Sequence, residues 1–252
     1  MSIMANTESK FNDSKYNLWG RKYPAVVSLT FPLLAIIYAL YDKITTNQLS
    51  ELESVFKVIL FFGTIIPSLF FFYMMTIREI SISILENLFD WLFGKPTSNL
   101  FMPGCRLISE KMKTSIKKKL KDSFKIDLDD ASIVSDEKKA DRRNRPYRQR
   151  VNEAVSCMRE IVRGNPILLE FNAIYGFFRN LAGGMLINLV LICIIYILND
   201  KFNGIFGGEI IWSFCVVGTI FIMSLIFMIT SRYRYAKRLF YLFDQYELPA
   251  TV

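Results

Sequence analysis

The stretch Val58–Met75, VILFFGTIIPSLFFFYMM, runs for 18 residues without a single charge. At about 1.5 Å rise per residue it makes a helix of roughly 27 Å, close to the hydrocarbon thickness of a bilayer. Three further stretches pass the same test: Pro24–Tyr41, Ala182–Leu198 and Ile210–Thr230. None of the four contains Asp, Glu, Lys or Arg. They come as an early and a late pair with a long basic segment between. The sequence therefore predicts an all-α integral membrane protein with four transmembrane helices in two hairpin pairs. A helical cytosolic region lies between spans 2 and 3.

The boundaries follow directly. Residues 1–23 form a polar N-terminal segment, 24–76 the first hairpin, 77–181 the basic region, 182–230 the second hairpin and 231–252 a C-terminal juxtamembrane helix. Hydrophobic residues make up 52% and the mean hydropathy is +0.28, high for a soluble domain and ordinary for a small helical membrane protein. The polar lead and the lack of a small-x-small site make a cleaved signal peptide unexpected, so Pro24–Tyr41 reads as a signal anchor. Pro32 lies inside it, as membrane helices tolerate.

Charge sets the orientation. Of the 31 Lys and Arg, 28 fall in residues 1–23, 76–181 and 231–252, and three fall in 42–57 and 199–209. The positive-inside rule then places both termini and the middle region in the cytoplasm, here of a bacterial inner membrane.

The same inventory excludes chemistry. With no histidine, Ser-His-Asp and Cys-His nucleophilic sites and His-ligated zinc are ruled out. Cys105, Cys157, Cys193 and Cys215 have no metal spacing and read as reduced thiols. No Walker A, GxGxxG or GxSxG occurs, and the aspartates from Asp127 fail the EF-hand pattern at Ser132 and Lys138. No cofactor, no metal and no enzyme activity are expected. Spans free of charge also disfavour a pump or ion-coupled transporter.

The cytosolic region shows three helical patterns. Ile77, Ile80, Ile84, Leu85, Leu88, Trp91 and Leu92 recur at helical spacing, with Glu79, Glu86 and Asp90 on the other face. The acidic face argues against lying on anionic lipid, so the apolar stripe is expected to pack into a cytosolic bundle. Ile108, Met112, Ile116, Leu120 and Phe124 mark a second helix. Val151, Ala154, Val155, Met158 and Val162 mark a third, with Asn144 placed to cap it. Residues 126–145 are expected to be flexible. Gly164-Asn165-Pro166 breaks the chain before a helix over 167–180 that leads into the third span.

Candidate sites come from what polarity remains. Gly184 and Asn188 lie one turn apart in the third span. Cys215, Gly218 and Thr219 share a face of the fourth, as do Thr64 and Ser68 in the second. Such faces let helices approach closely within one protomer, or they line a pore or oligomer interface. Asn188 stands out because a buried amide needs a partner, which a ring of amides would supply. Tyr175, Arg179 and Asn180 sit where the cytosolic helix meets the third span. They anchor that junction or couple the cytosolic module to a pore. Lys117, Lys118, Lys119 and Lys121, with Arg142 and Arg143, are candidates for anionic lipid or an anionic small-molecule signal. A solvated face is the plain alternative. Nucleic acid is disfavoured because aromatics are not interleaved.

In architecture alone the chain resembles small prokaryotic membrane effectors of antiviral defence, which pair a few helices with a cytosolic module that senses a signal. Four uncharged spans, mildly polar faces and the lack of a catalytic set favour a homo-oligomeric membrane channel or membrane-perturbing effector gated by the cytosolic helices. The alternative is a membrane-anchored accessory or scaffold subunit that docks a cytosolic protein partner.

Overall fold

The structure is a computed structural model that describes residues 16–30, 32, 70–101, 105–128, 145–199 and 209–246. Most of the expected first and second spans lies outside these residues. Seven helices are seen among them, and no strand. They are α1 (residues 16–30), α2 (70–93), α3 (Pro96–Phe101), α4 (Glu110–Phe124), α5 (Arg145–Ile161), α6 (Pro166–Asn199) and α7 (Glu209–Gln245). The chain divides into two compact units. Unit 1 comprises Met1–Asn12, Phe89–Asn172 and Ile229–Val252; unit 2 comprises Asp13–Leu88 and Ala173–Met228.

Unit 1 is built as a water-soluble bundle is built. Its core takes Leu100 and Phe101 from α3, Met112, Ile116 and Leu120 from α4, and Tyr147, Val151, Ala154, Val155 and Met158 from α5. Leu239, Phe240 and Phe243 come from the end of α7. The two stripes read from sequence for α4 and α5 are the buried faces. Phe101 and Phe240 meet edge to face at 4.8 Å. Caps fix the helix ends. Ser109 accepts from Met112 N–H at 3.3 Å to start α4. Asn165 Oδ1 accepts from Ile167 N–H at 3.0 Å, with Pro166 opening α6, so the predicted break is also a cap. Gly94, at φ +72°, ends α2, and Asn99 Nδ2 donates to Phe93 O at 2.6 Å.

Two expectations are corrected and one is met. Ile126 packs against the unit 1 core and Leu128 is buried in it, so order extends beyond the expected boundary at 126; residues 129–144, including Asn144, lie outside the described ones. The helix over 167–180 does lead into the third span, as expected: the two form one continuous helix, α6, through Gly183-Gly184. The apolar stripe of α2 does not pack inward as a whole. Ile77 and Leu85 are buried, but Ile84, Leu88, Trp91 and Leu92 are exposed, Trp91 by 77%. Two of the acids find arginine partners instead, while Glu79 is exposed. In unit 1, Asp90 pairs with Arg232, and in unit 2, Glu86 pairs with Arg179 at 3.1 Å.

Unit 2 buries a small apolar cluster of Leu181, Met185 and Val217, with Ile77, Leu85 and Met228 also covered, but many of its large apolar side chains face outward: Phe72, Ile197, Ile211 and Trp212 are each 64% exposed or more. Small and polar residues share the inside: Ala25, Ser28, Ser81, Ala182, Asn188 and Ser224. Two helices among the described residues are long and apolar enough to cross a membrane, Pro166–Ile197 and Ile210–Gln245. Their most apolar windows are only 39% and 17% buried. The core helix of a soluble protein would be mostly buried, so these surfaces fit membrane association.

Candidate functional site

The residues that organise unit 2 lie on one face of α6. Gly176, Asn180, Gly184 and Asn188 follow one another at four-residue intervals, which stacks them along one stripe. α1 lies against this stripe. A Cβ on Gly176 would meet Gly20 Cα at 3.6 Å, and one on Gly184 would meet Ser28 Cβ and Oγ at 2.5 Å. Only glycine at 184 allows that approach.

The two asparagines act where α1 lacks a donor. In an α-helix the carbonyl of residue i accepts from the N–H of residue i+4. Four residues beyond Gly20 is Pro24, and four beyond Ser28 is Pro32. Proline has no N–H, so both carbonyls lose their α-helical donor. Asn180 Nδ2 donates to Gly20 O at 2.5 Å, and Asn188 Nδ2 donates to Ser28 O at 2.7 Å. An unfilled carbonyl in an apolar setting costs several kcal/mol, so the amides answer a defined deficit. α1 also carries a π-helical turn at Leu18–Lys22, around the first of these carbonyls. Gly20 to Ser28 and Asn180 to Asn188 are equal steps of eight residues, so the two bonds fix register and direction: α1 and α6 run parallel.

The α2 helix closes the other side of α6 in the opposite direction. Tyr73 O–H donates to Asn188 Oδ1 at 3.4 Å. Further along, Ser81 lies so close to Gly183 that a Cβ there would fall 2.0 Å from Ser81 Oγ and 3.0 Å from Ile77 O. Glu86 then pairs with Arg179. Positions rise on α2 as they fall on α6, which is antiparallel packing. At Ser81–Glu86 α2 widens into a second π-helical turn. There Ser81 O–H donates back to Ile77 O at 2.6 Å.

The sequence candidates fall into four groups. Gly184, Asn188, Tyr175, Arg179 and Asn180 come together along α6. Asn180 pins α1, and Arg179, 5.5 Å from the Tyr175 ring, pins α2. The hydrogen bonds of Asn188 stay within the chain, reaching two other helices. Gly218 and Thr219 are not packed against the rest of the described chain. A Cβ on Gly218 would meet nothing within 4 Å, and Thr219 is exposed with its hydroxyl turned to Cys215 O at 2.8 Å. Of the basic candidates, Lys119 Nζ donates to the Asp244 and Tyr246 carbonyls at the end of α7. Lys121 pairs with Asp127 at 2.7 Å, Lys117 is half-buried, and Lys118 is exposed. Thr64, Ser68, Arg142 and Arg143 lie outside the described residues.

Sequence reasoning missed Gly20, Pro24 and Gly176. The signal was available as matching intervals: a proline four residues after each accepting carbonyl and an amide pair with the same eight-residue step. Among the described residues no group of His, Cys, Asp and Glu is arranged to hold a metal ion. No protein-family model, no curated protein and no solved structure matches the chain.

Proposed function

We propose that the protein is an oligomeric membrane channel or membrane-perturbing effector, gated by its helical basic region and serving a role such as prokaryotic antiviral defence. The observation that carries this reading is the contrast between two small-residue faces. The α6 face is filled within the protomer by α1 and α2. The Cys215–Gly218–Thr219 face of α7 is open. A small-residue face in lipid gains by packing against another helix, and a second copy of the chain supplies one in a closed ring.

Helix directions support the four-pass topology behind this reading. With the N-terminus and the middle region both cytoplasmic, spans 1 and 3 run outward and span 2 runs inward. Parallel α1–α6 and antiparallel α2–α6 packing fit that arrangement. The scaffold alternative draws on the lysines of α4. It is weaker because Lys113, Lys119 and Lys121 are engaged inside unit 1.

The test uses Cys215, which is exposed. With Cys105, Cys157 and Cys193 replaced by Ser, a thiol cross-linker applied to protein in liposomes is expected to trap oligomers through Cys215. Ion flux is expected to fall when Gly218→Leu blocks the face. Protein that stays monomeric and passes no ions contradicts the proposal.

A further inference from the structure

Unit 2 contains a cavity of about 470 Å³ lined by Asn17, Arg21, Lys22, Arg78 and Asn180, with an apolar wall that includes Phe71 and Met75. Arg21 and Lys22 come from α1, just before the expected start of the first span at Pro24. Arg78 comes from α2, just after the expected end of the second at Met75. Three cations from two helices thus border one cavity, and no carboxylate pairs with any of them among the described residues. Like charges gathered at one cavity favour an anion. Asn180, only 2% exposed, adds a buried Oδ1 with no hydrogen-bond partner. That oxygen accepts and so fits a ligand that also brings a donor.

The surroundings indicate the depth. Trp19 and Tyr23, on the same turns as Arg21 and Lys22, are exposed and touch edge to face at 4.9 Å. Exposed aromatics of this kind settle at headgroup level. Phe71 and Met75, which line the cavity, are exposed. An anion held here has cations at its head and apolar side chains along its tail.

We propose that this cavity binds a phosphate ester, presented as the headgroup of an anionic phospholipid such as phosphatidylglycerol, whose glycerol hydroxyls supply a donor for Asn180 Oδ1. The assignment rests on the membrane reading above, though not on conduction. It differs from the lysines of α4, which the sequence offers as candidates for anionic lipid or an anionic small-molecule signal. It also gives the site a lever, because Asn180 holds Gly20 O at the carbonyl facing Pro24: a lipid seated here bears on the register of α1 against α6.

The test is lipid binding to the full-length protein in detergent, followed by native mass spectrometry, with phosphatidylglycerol, phosphatidylcholine and soluble glycerol 3-phosphate as probes. Phosphatidylglycerol is expected to bind in preference to phosphatidylcholine, and glycerol 3-phosphate is expected not to displace it. The triple variant Arg21→Gln, Lys22→Gln, Arg78→Gln is expected to weaken phosphatidylglycerol binding on the order of 100-fold, about fivefold per charge. The charge-keeping variant Arg21→Lys, Arg78→Lys is expected to restore most of it, which separates lost charge from lost folding. Lys117→Gln with Lys118→Gln is expected to leave it unchanged. Unchanged binding in the triple variant overturns the site. Equal competition by glycerol 3-phosphate, lost in the same variant, overturns lipid as the source of the phosphate ester. Protein that binds the lipid but passes no ions supports this site while contradicting the channel.

Discussion

The two units solve the same packing problem with opposite materials. Unit 1 buries Phe101, Tyr147, Phe240 and Phe243 almost completely. Unit 2 exposes Phe72, Ile197 and Trp212 and buries Ser28, Ser81, Ala182 and Asn188. Water makes the first arrangement favourable, because apolar area leaves solvent. Lipid removes that gain, since its tails are as apolar as the side chains. Close backbone approach and hydrogen bonds are then what hold helices together. One chain carries both solutions because α6 and α7 each contribute residues to both units.

If that comparison holds, substitutions rank by unit. Phe240→Ala is expected to cost about 3–5 kcal/mol. Hydrogen exchange should rise across α3–α5, while the α1–α6 crossing stays protected. Loss of protection in α1 as well would mean that the units are not packed by separate rules. Next comes Gly183→Leu, which drives a side chain into Ser81 and the Ile77 carbonyl. About 1–3 kcal/mol is expected, read as a lower unfolding midpoint in detergent. Asn180→Leu and Asn188→Leu should each cost about 0.6–2 kcal/mol, a modest figure because lipid-embedded amides find other partners when unfolded. Phe72→Leu on the outer surface should change stability by less than about 0.5 kcal/mol. A large effect there would show that Phe72 is buried against something other than lipid.

Legibility followed the same division. In unit 1 the stripes of α4 and α5 named the buried residues, because the usual pattern assumes that the apolar face is the covered one, and there it is. The stripe of α2 misled for the complementary reason. Ile84, Leu88, Trp91 and Leu92 were expected to point inward, but Glu86 and Asp90 have arginine partners and the apolar residues face out. Hydrophobic periodicity locates two faces of a helix without saying which one is covered. At the site, the sequence marked Asn188 as a buried amide in need of a partner, and Asn180 as a pin. It also noted that Pro32 was tolerated. What joined these observations was a tertiary contact between residues 160 positions apart, which no local pattern contains.

Asn188 serves the carbonyl left without its helical donor by Pro32. A double-mutant cycle tests it most directly, with Asn188→Ala and Pro32→Ala measured singly and together by unfolding in detergent. Restoring an N–H at position 32 gives Ser28 O its own donor, so the loss of Asn188 should then matter less. The prediction is a coupling of about 1 kcal/mol. A penalty for Asn188→Ala that is the same with proline or alanine at position 32 would contradict the account.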